Sequence, residues 1–97
     1  MDLSINEGTL VVSAGTGDSI QNAIVIRKTP RCLSATGAEH LLMTQRYGQS
    51  GTDWTMKRHD LLRVNGKVYD TYCVRLADGS ERTLYFDVTD LLARLRG

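Results

Sequence analysis

The sequence predicts an α+β domain: an antiparallel sheet, built from a C-terminal three-stranded meander plus one or two N-terminal strands, with one central helix and a short C-terminal helix. Three observations predict it. From Asp53 to Val88, apolar-patterned stretches are punctuated by Val64-Asn65-Gly66 and Ala77-Asp78-Gly79. Asn-Gly and Asp-Gly accept the positive φ that tight hairpins demand, so this run reads as a meander. Two earlier runs, Thr9–Val12 and Ala23–Ile26, are continuous, apolar and rich in β-branched residues, as strands buried on both faces are. Finally, Thr36 with Glu39 three residues later has the form of a capping box, and Ala38, Leu41 and Leu42 then recur at helical spacing.

Taken in chain order, the first eight residues are expected to fray. Ala14 to Ser19 is a loop between the two apolar runs, and Thr29-Pro30 ends the second, because proline has no ladder donor and holds its predecessor extended. The central helix is predicted over Gly37 to Tyr47, with Gly48 as terminator. A short helix is predicted over Asp90 to Arg96, capped by Thr89. Its residues Leu91, Leu92 and Leu95 would meet the core, while Arg94 and Arg96 would sit at its negative end.

Turn type fixes which side chains of the meander share a face. A two-residue Asn65-Gly66 loop would place Leu62 opposite Tyr69 but mix apolar and charged residues on both faces. A three-residue loop, with Gly66 in the left-handed position of a bulge, pairs Leu62 with Val68, Met56 with Val74 and Trp54 with Leu76. The same choice at Ala77-Asp78-Gly79 pairs Tyr72 with Leu84 and Val68 with Val88. The three-residue loop is therefore preferred at both turns. The predicted core lies between the central helix and Trp54, Met56, Leu62, Val74, Leu84 and Phe86.

In that register Arg58, Asp60 and Asp70 interrupt the core face. Directly opposed carboxylates destabilise a sheet unless a cation intervenes, and Arg58 is placed to bridge them. The other face carries His59, Leu61, Arg63, Tyr69, Thr71, Cys73, Arg75, Thr83, Tyr85 and Asp87.

Ninety-seven residues suffice for one domain spanning 1–97. A hydrophobic fraction of 41% with 24% charged residues argues against disorder, and a formal charge of +1 makes the whole chain no magnet for polyanions. Met1-Asp2-Leu3-Ser4 lacks the basic start and apolar run of a secretory signal, and no apolar stretch reaches membrane-spanning length. A cytoplasmic location without membrane contact is expected. Cys32 and Cys73 lack metal-ligand or redox spacing, so two free thiols are expected.

No constellation supplies nucleophile, base and electrostatic stabiliser together. Gly15-Thr16-Gly17-Asp18-Ser19 lacks the third glycine of a dinucleotide loop and the lysine of a P-loop, and reads as a connector. His59 would face Thr71, leaving Cys73 on the diagonal, and His40 would be solvated in the first helical turn. Arg27, Lys28 and Arg31 form a small basic cluster. The expectation is a non-catalytic protein-interaction module without cofactor or metal, binding a partner or itself through the open sheet face or a strand edge. Its candidate binding residues are His59, Arg63, Tyr69, Arg75 and Tyr85, since Tyr and Arg anchor protein interfaces. The alternative is a nucleic-acid-binding domain that uses the same basic and aromatic surface.

Overall fold

The computed structural model describes residues 2–5, 8–13, 15–29 and 34–96, with side chains described for 11–13, 15–29 and 34–93. Its elements are β1 (Asp2–Ile5), β2 (Gly8–Val12), β3 (Ile24–Lys28), α1 (Ala35–Tyr47), β4 (Trp54–Val64), β5 (Lys67–Leu76), β6 (Glu81–Asp87) and α2 (Thr89–Arg96). The strands join one sheet in the order β1-β2-β3-β6-β5-β4. No helix among the described residues is long and apolar enough to cross a membrane.

The α+β class holds, but the sheet is mixed rather than antiparallel. At its centre β3 and β6 run parallel, through Ile24 opposite Phe86 and Val25 opposite Asp87. The cause is topological. The chain leaves β3, passes through α1 to the far edge at β4, and returns through β5 so that β6 arrives beside β3. Parallel neighbours need such a crossover. The N-terminal part also supplies one strand more than expected, because residues within the stretch expected to fray pair with β2 from Asp2 opposite Val11 to Ile5 opposite Gly8.

Helix α1 starts earlier than its spacing suggests. Ser34 is its cap, extended at φ −73° and ψ 170°, with its hydroxyl accepting from the Gly37 amide at 3.0 Å. Thr36 and Glu39 therefore lie inside the helix, and Glu39 is not engaged in capping. Gly48 ends α1 as expected, at φ 107°, its amide donating to Thr44 O at 2.9 Å. At α2 the capping role expected of Thr89 falls to Asp87, whose Oδ1 accepts from the Thr89 amide at 3.0 Å. The Thr89 hydroxyl instead accepts from the Val68 amide at 2.9 Å, tying α2 to β5.

The second hairpin has the expected three-residue loop. The Gly79 amide donates to Leu76 O, the Leu76 amide donates to Ser80 O, and Gly79 takes φ 88°. Tyr72 opposes Leu84, as that loop requires. The first hairpin does not follow the expected register. Asn65 and Gly66 both have positive φ, 51° and 78°, so they form a two-residue type I′ loop with Val64 opposite Lys67 and Leu62 opposite Tyr69. The twist of that turn matches its strands, and the chain absorbs the changed register further along. Between Met56 and Arg58 the pairing shifts, leaving Lys57 as an extra bulged residue, after which Met56 opposes Val74 and Trp54 opposes Leu76 as expected.

One apolar cluster fills the space between α1 and the sheet. It includes Ala38, Leu42 and Met43 from α1 with Trp54, Tyr72, Val74, Leu84 and Phe86 from the meander, and extends to Ile24, Ile26 and Leu91. Phe86 is fully buried while Tyr85 beside it is half-buried, so the faces of β6 are as expected. Two expected core residues are not part of it. Met56 is 39% exposed, and Leu62, opposite Tyr69, belongs to the other face. The expected roles of Leu95, Arg94 and Arg96 fall outside the described side chains, and Pro30, Arg31 and Cys32 lie outside the described residues.

Candidate functional site

The bulge at Lys57 decides how the candidate residues are distributed. On β5, even-numbered side chains point toward α1 and odd-numbered ones away, because strand side chains alternate. His59 opposes Tyr72 and Arg63 opposes Val68, which places both on the α1 side. Tyr69, Arg75 and Tyr85, opposite Asp87, Glu81 and Thr71 respectively, stay on the other side. The five residues thus do not form one contiguous surface: two share the face with α1 and three share the opposite face. Nor are the three equally open, since Tyr69 is only 5% exposed whereas Arg75 is exposed and ion-paired to Glu81 at 3.2 Å.

The same geometry separates other expected neighbours. Asp60 opposes Thr71 and Asp70 opposes Leu61, so the two carboxylates lie on opposite faces and Arg58 does not bridge them. Arg58 pairs with Asp60 alone, at 2.8 Å in the open. His59 and Cys73 are likewise on different faces; Cys73 is a free thiol. In the connector, the Gly17 amide donates to Asn22 O at 2.7 Å and Thr16 bonds Asp18 at 2.8 Å, while the Gly17 and Thr16 carbonyls accept from the Tyr85 amide and from Arg46, so the loop's polar groups are engaged within the protein. Arg27 is ion-paired to Asp90 at 3.3 Å, leaving Lys28 exposed beside it.

Two features emerge at the outer end of the sheet. The first is β4 itself. As the edge strand of the sheet it pairs with β5, with an isolated bridge from Trp54 to Ser50 at its start, and from Thr55 to Leu61 every residue is exposed. A strand with one covered face would alternate between buried and exposed. Here neither face is covered, and Met56 and Leu61, 53% exposed, stand on the α1 side with His59 between them.

The second is a polar cluster set into the apolar layer just inside that edge. Tyr72 donates through Oη to Glu39 Oε1 at 2.6 Å, joining β5 to α1 within the core. The His59 ring stacks on the Tyr72 ring, with centroids 4.2 Å apart and planes 10° from parallel, and its Nε2 lies 3.2 Å from Asp70 Oδ1. His40 wedges edge-on against both Trp54 and Tyr72, at 6.1 and 5.9 Å, so it is half-buried rather than solvated. Burial first, then the Asp70 carboxylate, push the Glu39 carboxyl up to about 9, against the pull of the Tyr72 hydroxyl. Burial and Glu39 in turn push the Tyr72 phenol above its ordinary range.

Sequence reasoning singled out His59, but for the wrong face, and assigned Glu39 to a cap. A signal for Glu39 was present. It lies at i−3 and i−4 from Leu42 and Met43, on the apolar stripe of the helix, where an acid needs a partner. Asp70 and Tyr72 were already expected on the core face beneath that stripe, and His59 joins them only because the first turn holds two residues. Scans of this chain against protein-family models, curated proteins and solved structures return no match.

Proposed function

We propose that this chain is a non-catalytic protein-interaction module whose β4 edge receives an extended, acidic segment of a partner as an added strand. The uninterrupted exposure of Thr55 to Leu61 on an edge strand supports this reading. Backbone groups along such an edge supply affinity, and side chains on both faces supply specificity. Lys57, Arg58 and Arg63 against Asp60 give β4 a net charge of +3 − 1 = +2. That charge and the bulge oppose pairing of β4 with its own copy, since edge lysines and bulges are devices against self-association. An acidic strand meets no such repulsion. Met56 and Leu61 offer it apolar contacts on one face.

Nucleic acid would share the attraction to positive charge, but the stacking platform that reading needs is divided between two faces, with Tyr69 buried. A short peptide of alternating Glu and Val, added during amide-exchange NMR, tests the proposal. Slowed exchange along 55–63, weakened at least tenfold in a Met56→Lys/Leu61→Lys variant, is the expected result. Protection confined to other elements, or tighter binding of a single-stranded oligonucleotide, overturns it.

A further inference from the structure

Glu39, His59 and Asp70 reach one point from three elements, α1, β4 and β5. Each offers a ligand atom, and these atoms all lie within 4.8 Å of one another. Two carboxylates and an imidazole are a donor set suited to a transition-metal ion; Mg2+ and Ca2+ favour oxygen alone. We infer that Glu39, His59 and Asp70 bind one divalent transition-metal ion, with Zn2+ the best chemical match.

Geometry and charge both carry this. Ligand atoms about 2.0–2.1 Å from a tetrahedral Zn2+ stand about 3.4 Å apart. The edge between His59 Nε2 and Asp70 Oδ1, at 3.2 Å, is close to that length, and the Glu39 ligand atom lies within 4.8 Å of both. Glu39 is fully buried, yet its Oε2 has no hydrogen-bond partner, an unusual condition for a buried carboxyl oxygen. Among the described residues, no lysine or arginine is ion-paired with Glu39 or Asp70. A dication would displace the proton of the Glu39 carboxyl, bind both carboxylates and engage Oε2.

The surroundings orient the ligands. Tyr72 anchors Glu39 through its hydroxyl and stacks under His59, which makes it a positioning residue for two of the three. Asp70 is 13% exposed and His59 37%, so the site opens toward β4 and leaves a coordination position for water. Occupied, it would pin α1 to the hairpin next to the edge strand.

Zn2+ alone, titrated calorimetrically into the full chain, tests the inference, with the visible absorption of added Co2+ reporting four-coordination. One ion per chain is expected. His59→Ala, outside the buried apolar cluster, should weaken binding at least about tenfold, and Tyr72→Phe by about 10–100-fold. A Cys32→Ser/Cys73→Ser variant should bind as the parent does. No Zn2+ binding by the parent, binding unchanged in His59→Ala, or binding lost with the two cysteines would each overturn the site.

Discussion

Tyr72 on β5 and Glu39 on α1 are both fully buried, and the 2.6 Å hydrogen bond between them is a polar tie between the helix and the sheet beneath it. A buried carboxyl is tolerated there because it is held as the neutral acid and because one oxygen has a donor. Tyr72→Phe removes that donor while keeping the ring and its stacking on His59. The expected cost is about 1–3 kcal/mol, the penalty for leaving a buried acceptor unpaired. Urea denaturation of the two proteins would measure it, and equal midpoints would show that the bond contributes nothing.

Glu39 also predicts how stability depends on pH in chelator-treated protein. Its folded value of about 9 lies above the ordinary 4.5, so folding favours the protonated form. The stabilisation is complete below about pH 4.5 and is lost progressively as pH rises toward 9, because the unfolded chain ionises first. His59, Asp70, Tyr72 and His40 face the same cluster. Comparison with Glu39→Gln isolates the carboxyl. The variant should show a flatter curve and gain on the parent across neutral pH, by an amount on the order of a few kcal/mol. Parallel curves for the two would mean that Glu39 ionises normally.

Tyr69 was expected on the open sheet face. At 5% exposure, opposite Asp87 and Leu62, it is instead packed. Tyr69→Ala should cost about 3 kcal/mol, in the range of other buried aromatic truncations. Arg75→Ala, exposed and holding only a surface ion pair with Glu81, should change stability by less than about 1 kcal/mol. Thermal unfolding would rank them. A tolerated Tyr69→Ala would return that face to consideration as a binding surface.

The legible parts of the fold were those that local chemistry dictates. Asp78-Gly79 and the apolar alternation around it specify the second hairpin completely, and Gly48 stops α1 because few other residues accept its backbone. The parallel pairing of β3 with β6 was not legible, since Ile24 and Phe86 are brought together by the path of the whole chain. The candidate site failed for a subtler reason. Both registers of the first hairpin agree on the pairing of Met56 and Trp54, and they differ only between the turn and Lys57. The apolar pattern at the open end thus favoured a loop that the chain does not use, and reversed the faces of His59, Leu61 and Arg63.

That ambiguity yields a sharp prediction. In the observed register Arg58 opposes Cys73 and Met56 opposes Val74, with Lys57 extra between them. Deleting Lys57 should therefore leave a regular ladder in which every observed pair and every face is kept, with Trp54 still buried and its Nε1 still able to donate to Gly48 O. Had the turn held three residues, the same deletion would move Met56 and Trp54 to the opposite face, because a one-residue slip inverts a strand. Trp54 is the chain's one tryptophan, so its fluorescence reports on that face directly. The deletion variant should fold with the blue-shifted emission of a buried indole, whereas deletion of Thr55, which lies beyond the bulge and has its own partner in Arg75, should expose Trp54 or prevent folding. The reverse ranking would place the extra residue in the turn and restore His59 to the face away from α1.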